Sequence, residues 1–165
     1  MVKDFNLKAN VGRSKCDKLS INNKRTNAIF RQESVFRIMD ANLNRCREGL
    51  RVVEDSLRFV LNDGTLYKKI RKIRHDVDGV LRNMYKNLIK KRDTFVDLGR
   101  QIPETSRRKL TDLMVVNFKR AQESLRVLEE YSKIFAPEVS AEFKEQRYAV
   151  YALEKEVYLK YKITF

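Results

Sequence analysis

The stretch ANLNRCREGLRVVEDSLRFV, Ala41 to Val60, returns 75 residues further on as VNFKRAQESLRVLEEYSKIF, Val116 to Phe135. In the first copy Leu43, Cys46, Leu50, Val53, Leu57 and Val60 alternate three and four apart, the spacing that lays side chains along one stripe of an α-helix. Leu, Arg and Glu, all good helix formers, fill most of the remaining positions. Each copy is therefore predicted to be a helix with one buried stripe. A core needs only its apolar residues repeated, yet here the asparagine, arginines and glutamates repeat as well.

The duplication extends past these two helices. With a shift of 73, Ile70, Arg74, Val77 and Val80 align with Phe143, Arg147, Val150 and Leu153. The first helix is predicted to stop at Asn62-Asp63-Gly64, with Gly64 taking the left-handed conformation closed to most residues. A second helix is expected from about Leu66 to Lys90. Gly99 and Pro103 break the pattern between Lys91 and Thr105, which reads as a long loop. A third helix fills Ser106 to Phe135, and Pro137 suits the first turn of a fourth that reaches about Lys162. The expected fold is all-α: a four-helix bundle from a duplicated helical hairpin with pseudo-two-fold symmetry. Hairpin one covers about 35–91, the loop 92–105 and hairpin two about 106–162, within a domain 35–165. Residues 1–34 are polar and basic without a sustained period, and read as an N-terminal extension of low intrinsic order.

Composition bounds the function. The 165 residues are 42% hydrophobic, enough for one core, and 36 basic against 22 acidic side chains give a formal charge of +14; an anionic partner is implied. Cys16 and Cys46 form no CxxC, so neither a disulfide framework nor a zinc site is indicated. The start, MVKDFNLKANVG, lacks the apolar core of a signal peptide, and the longest apolar run, Tyr148 to Leu153, is too short to cross a bilayer. A cytoplasmic protein with no membrane partner is expected.

The polar repeats occupy two faces. At about 100° per residue, Asn42, Arg45, Gly49 and Val52 flank the apolar stripe of the first helix, and Asn117, Arg120, Ser124 and Val127 that of the third. Glu48 and Glu123 lie just outside this flank. On the far side Arg51 with Glu54, and Arg126 with Glu129, have the i,i+3 spacing of solvated ion pairs. For Asn42, Arg45, Glu48 and their copies two readings stay open, a hydrogen-bonded network fixing helix register or a binding site; a boundary arginine needs an anionic partner in either.

DANLNRCREGLRVVED, the IRH of Ile73 to His75, the RDTFVDLG loop and NFKRAQESLRVLEEYSK resemble the small helical hydroxymethylpyrimidine phosphate kinase family of thiamin biosynthesis. The likeness runs from roughly Phe36 to Tyr158, and Cys46 stands where a small alanine-like residue is common. Members occur alone or fused to the front of thiamin-phosphate synthase, and many carry the label thiamin-phosphate pyrophosphorylase for that reason. The resemblance implies transfer of the γ-phosphoryl group of ATP to 4-amino-5-hydroxymethyl-2-methylpyrimidine phosphate. It allows a thiamin-phosphate synthase or a second copy of this chain as protein partner. No synthase barrel is expected in the helical pattern, so synthase activity is not.

Such chemistry suits these residues. A phosphate monoester has its second pKa near ~6 and is largely ionised at neutral pH, so it needs cations more than a base. Arg45, Arg120, Arg74 and Arg147 are the first candidates to stabilise the transferring group, with Arg58 and Lys133 in reserve. Asn42, Asn117 and Gly99 are candidates for substrate binding. Mg²⁺ takes one or two carboxylates beside phosphate oxygens, for which Glu48, Glu123, Asp93 and Asp97 are available. Gly99 after Asp97 lets the loop backbone approach a phosphate; the alternative is a plain capped turn. Neither GxxxxGK[ST] nor GxGxxG occurs, so an ATP site must be built from side chains and helix ends. His75, the lone histidine, reads as a packing or hydrogen-bonding residue. The aromatic residues read mostly as core, with one ring free to stack on a pyrimidine. The rival reading is a basic nucleic-acid-binding module that uses residues 1–34 and the runs KKIRKIR and IKKRD, or a non-catalytic partner of a thiamin enzyme. The repeated glutamates weigh against nucleic acid, because carboxylates repel its backbone.

Overall fold

A computed structural model of the chain describes residues 32–103, 106–107 and 109–162. The extension read at 1–34 lies outside them except for its last few residues. Helix α1 spans Gln32–Asp55 and runs into a π-helical turn, Ser56–Val60; α2 spans Gly64–Val80. A 3-10 turn, Arg82–Met84, leads to the short α3, Tyr85–Lys90; α4 spans Leu110–Ser132 and α5 Pro137–Tyr161. The described residues contain no strand, and the protein is all-α.

The apolar stripe of α1 is buried as its spacing requires, from Val35 and Met39 through Leu50 to Leu57. Val60, its last expected member, is exposed, because the π-helical turn Ser56–Val60 departs from the α-helical period that would have carried it onto the stripe. It joins Ile70 and Val77 of α2, Phe118, Leu125 and Leu128 of α4, and Phe143, Val150 and Val157 of α5 in a single core. Burying each such side chain contributes about 1.5–3 kcal/mol, and that common core holds the faces of α1 and α4 at a fixed distance. Helix α5 lies along α4 and also packs on α2.

Four further expectations change. Gly64 does not take a left-handed conformation: it opens α2, and the turn is made by Asn62 at φ 49. Asparagine tolerates that region, and Asp63 then caps α2 by accepting from the N–H groups of Thr65 and Leu66, both at 3.1 Å. The second helix is not continuous to Lys90. It ends at Val80, just after Gly79, the residue of that segment with the weakest helix propensity. Helix α4 starts at Leu110 and not at Ser106, since Ser106, Arg107 and Lys109 are exposed and offer no apolar face to bury. The aromatic residues divide: Phe118 and Phe143 are core, whereas Phe59, Phe95, Tyr85, Tyr148, Tyr151 and Tyr158 are exposed. Pro137 does occupy the first turn of the last helix, which closes at Lys162 with φ 54.

Candidate active site

Helices α1 and α4 meet closely at Gly49. A Cβ there would lie 2.9 Å from the carbonyl oxygen of Asn117 and 3.6 Å from the amide nitrogen of Ala121, so only glycine lets the two backbones come this near. Beside the crossing a cleft of about 600 Å³ opens, lined by Asn42, Arg45, Glu48, Gly49 and Val52 from α1 and by Asn117, Arg120, Glu123, Ser124 and Val127 from α4. These are the polar flanks of the two sequence copies, position for position. Its size is that of a small-ligand site.

The two asparagines are fixed alike. Asn42 Nδ2 donates to the carbonyl of Ile38 at 2.9 Å, and Asn117 Nδ2 to that of Leu113 at 2.8 Å. One N–H of each amide is used in this way, which leaves the second N–H and the oxygen of each for other partners. Arg45, Glu48, Arg120 and Glu123 are exposed at the walls, bringing two guanidinium groups and two carboxylates to one opening. A polyanion carrying a divalent cation matches this mixture, since arginines suit phosphate oxygens and carboxylates suit the cation.

Arg74 and Arg147 are elsewhere. Arg74 Nε donates to Glu54 Oε2 at 2.6 Å, and Arg147 Nε to Glu129 Oε2 at 2.9 Å. Glu54 is fully buried and Glu129 nearly so, which corrects the expectation of solvated pairs on that face. The i,i+3 partners do form, with Arg51 Nη1 at 3.6 Å from Glu54 and Arg126 Nη1 at 2.9 Å from Glu129. A hydrogen bond from its own guanidinium to Tyr151, and then those to Glu129, hold Arg147 more firmly protonated than an ordinary arginine. The register-fixing network thus sits at Glu54 and Glu129, away from the Asn42 and Arg45 cleft.

Asp93, Asp97 and Gly99 also lie outside the cleft. Asp93 accepts from the N–H groups of Phe95 and Val96, and Asp97 Oδ1 accepts from Gly99 N at 2.8 Å, so both carboxylates are turn caps. The foot of this loop is tied to α1 by Arg92, which forms two hydrogen bonds, at 2.7 and 2.8 Å, to the buried Asp40. Asp40 above all, with Glu48 as a lesser contribution, raises the pKa of Arg92. Arg58 stacks near Phe59 and Tyr67, Lys133 pairs with Glu130, and His75 is exposed. Cys46 is buried on the core face of α1, and burial pushes its thiol up to about 12.

For a divalent cation the fit is partial. No cluster of three or more His, Cys, Asp or Glu occurs among the described residues, which excludes an all-protein cage there. Two carboxylates at one cleft suffice for an ion that takes its other ligands from phosphate and water, and Glu48 and Glu123 are those two. Gln122, Tyr151 and Asp78 stand outside the matched positions; the signal they carry in the sequence is that they differ between the two copies.

The fold and site together define an all-helical protein with a cleft lined by arginines and glutamates from two copies of the same motif. The chain belongs to the ThiD2 family, whose model matches residues 37–156. It is 40% identical over 126 residues to a thiamine-phosphate synthase of Nostoc punctiforme, covering 74% of this chain and 35% of that protein. Against a thiamine-phosphate synthase of Gloeobacter violaceus it is 42% identical over 130 residues, 77% of this chain and 37% of the relative. Against that of Rhodopirellula baltica it is 41% identical over 139 residues, 82% and 36%. The chain therefore spans about a third of the length of these relatives. No solved structure matches it. Among the described residues no helix is long and apolar enough to cross a membrane.

Proposed function

We propose that the chain is a phosphotransferase of thiamin biosynthesis, acting in the cytoplasm, that phosphorylates hydroxymethylpyrimidine phosphate to its diphosphate at the expense of ATP. The observation that carries this reading is the cleft in which Asn42, Arg45 and Glu48 face Asn117, Arg120 and Glu123. An oxygen of the acceptor phosphate attacks the γ-phosphorus of ATP, the bond from that phosphorus to the β,γ-bridging oxygen breaks, and ADP leaves with its electron pair. Both reactants are polyanions. Arg45 and Arg120 draw them together and stabilise the charge spread over the transferring group, a task of positioning and electrostatics. Glu48 and Glu123 would hold Mg²⁺, which when bound neutralises phosphate charge between the reactants. No general base is needed, because the attacking oxygen is already ionised.

The basic run of α2 favours this reading over nucleic acid. Lys69, Arg71, Lys72 and Arg74 each face a carboxylate, of Glu156, Glu54, Asp76 and Glu54 in turn, so the run does not present a bare cationic face. Incubation of the full chain with ATP, Mg²⁺ and each acceptor, followed by ADP release, tests the proposal. ADP should form with hydroxymethylpyrimidine phosphate and hardly at all with the unphosphorylated alcohol, which lacks both the anchor and the attacking oxygen. Equal rates on the two acceptors would contradict the mechanism. No ADP from either, together with salt-sensitive binding to nucleic acid, would favour the basic module.

A further inference from the structure

On either side of the central cleft lies a second groove, and the two grooves share its glutamates. One, on the α1 side, is lined by Asn44, Arg47, Glu48, Arg51 and Arg74 together with Val52. The other, on the α4 side, is lined by Lys119, Gln122, Glu123, Arg126 and Tyr151. With the shifts of 75 and 73 that align the copies, Arg47 corresponds to Gln122 and Asp78 to Tyr151. In the first copy Arg47 and Asp78 form an ion pair across α1 and α2. In the second, the same two places hold an amide and a half-exposed aromatic ring. Both halves of the pair have changed, on two separate helices, while Glu48 with Glu123 and Arg51 with Arg126 are retained.

A duplicated site that joins two unlike substrates must become unlike where it reads what distinguishes them. Positions kept in both copies serve what the substrates share, their phosphates. We propose that the α4-side groove is the subsite for the aminopyrimidine ring of the acceptor, stacked on Tyr151, and that the α1-side groove takes the nucleotide; this rests on the phosphotransferase reading above. Gln122 is buried and its Nε2 donates to Glu154 at 2.6 Å, which leaves its carbonyl oxygen to accept from an exocyclic amino group at the ring edge. In the α1-side groove Arg74 is spent on Glu54 and Arg47 on Asp78, so charge does not separate the two grooves. What separates them is the aromatic ring and amide on one side and the Arg47–Asp78 pair on the other, and with the pyrimidine on Tyr151 the nucleotide takes the α1 side. Each substrate then reaches the central cleft past a shared glutamate, with its phosphates meeting between Arg45 and Arg120.

Steady-state kinetics of the full chain, varying ATP and hydroxymethylpyrimidine phosphate in turn, separate the two grooves. Tyr151→Ala should raise KM for the pyrimidine phosphate about tenfold or more and leave KM for ATP within about twofold, as expected for loss of one stacked base. Tyr151→Phe, which keeps the ring, should restore it. Arg47→Gln, which installs the residue of the other copy, should raise KM for ATP selectively. Thermal melts establish that each variant is folded. If the wild type turns over but Tyr151→Ala changes both constants equally or neither, the division of substrates is overturned and the phosphotransferase reading stands. If the wild type yields no ADP, that reading fails and the division falls with it.

Discussion

Replacing Arg74 by alanine and replacing Arg45 by alanine should have opposite consequences, although the two residues look alike in the repeated motif. Arg74 Nε lies 2.6 Å from Glu54, and their side chains are 13% and 0% exposed. Without Arg74 the Glu54 carboxylate stays in the interior, with Arg51 and Arg71 only at 3.6 and 3.7 Å. Breaking a buried pair in this way costs about 3–5 kcal/mol. The two remaining arginines offset part of that loss. The lower end, about 3 kcal/mol, is therefore expected, equivalent to a fall in Tm of roughly 6–12 °C for a chain of this size. Arg45 is exposed on the cleft wall, so Arg45→Ala should change stability by no more than about 0.5 kcal/mol. Its turnover should drop by about 10²–10³-fold with the loss of charge stabilisation at the transferring group. Circular dichroism melts and ADP release, the latter measured well below both transitions, give the two readouts. An Arg74→Ala protein that melts like wild type yet is inactive would place Arg74 with the phosphates and refute this division of labour.

Two further outcomes follow from the geometry. Asp63 accepts from Lys160 Nζ at 2.6 Å, from the N–H groups of Thr65 and Leu66, and from Tyr161, and the Lys160 hydrogen bond foremost lowers its pKa from 3.8 to about 2. Because the folded value is the lower one, its stabilisation is fully present above the unfolded value and is lost as pH falls through the folded one; Asp63→Asn should be less stable than wild type at neutral pH and lose less between about pH 4 and pH 2, as read from acid titrations of Tm. Gly49→Ala would gain helix propensity of about 0.5–1 kcal/mol, but its Cβ would meet a backbone oxygen at 2.9 Å that cannot swing away, so a net loss of about 1–3 kcal/mol is expected; a variant as stable as wild type would show that α1 and α4 do not approach this closely.

The sequence was most informative where period and repetition coincided. Leu43, Cys46, Leu50, Val53 and Leu57 are buried as their spacing requires, and the neighbouring stripe of Asn42, Arg45, Gly49 and Val52 meets its copy at the cleft. Angular position on a helix is local geometry, so both could be read from one chain. What could not be read was depth. Arg51 with Glu54 has the spacing of a surface pair, but Glu54 is buried because α2 lies over it, and that contact spans 20 residues of sequence. Asp93 and Asp97 likewise have the chemistry of metal ligands, and only the loop's own path shows them spent on the N–H groups of Phe95, Val96 and Gly99.

Duplication also explains why the core and the cleft share one motif. A helix with its apolar stripe at Leu50 and Leu57 and a polar flank at Asn42, Arg45 and Glu48 buries the first only by packing on another such helix, and the packing sets the second flank opposite the first. Two arginines and two glutamates then face each other without any loop to place them, which is how the proposed phosphotransferase site would dispense with a glycine-rich phosphate loop. Rigid helices hold such groups more accurately than loops do, and Gly49 fixes the separation. Repetition of the motif alone would make a site for two identical ligands. On the proposed reading, the departures from the repeat at Arg47 with Asp78, and at Gln122 with Tyr151, are therefore the places where the two substrates of a transfer reaction would be told apart.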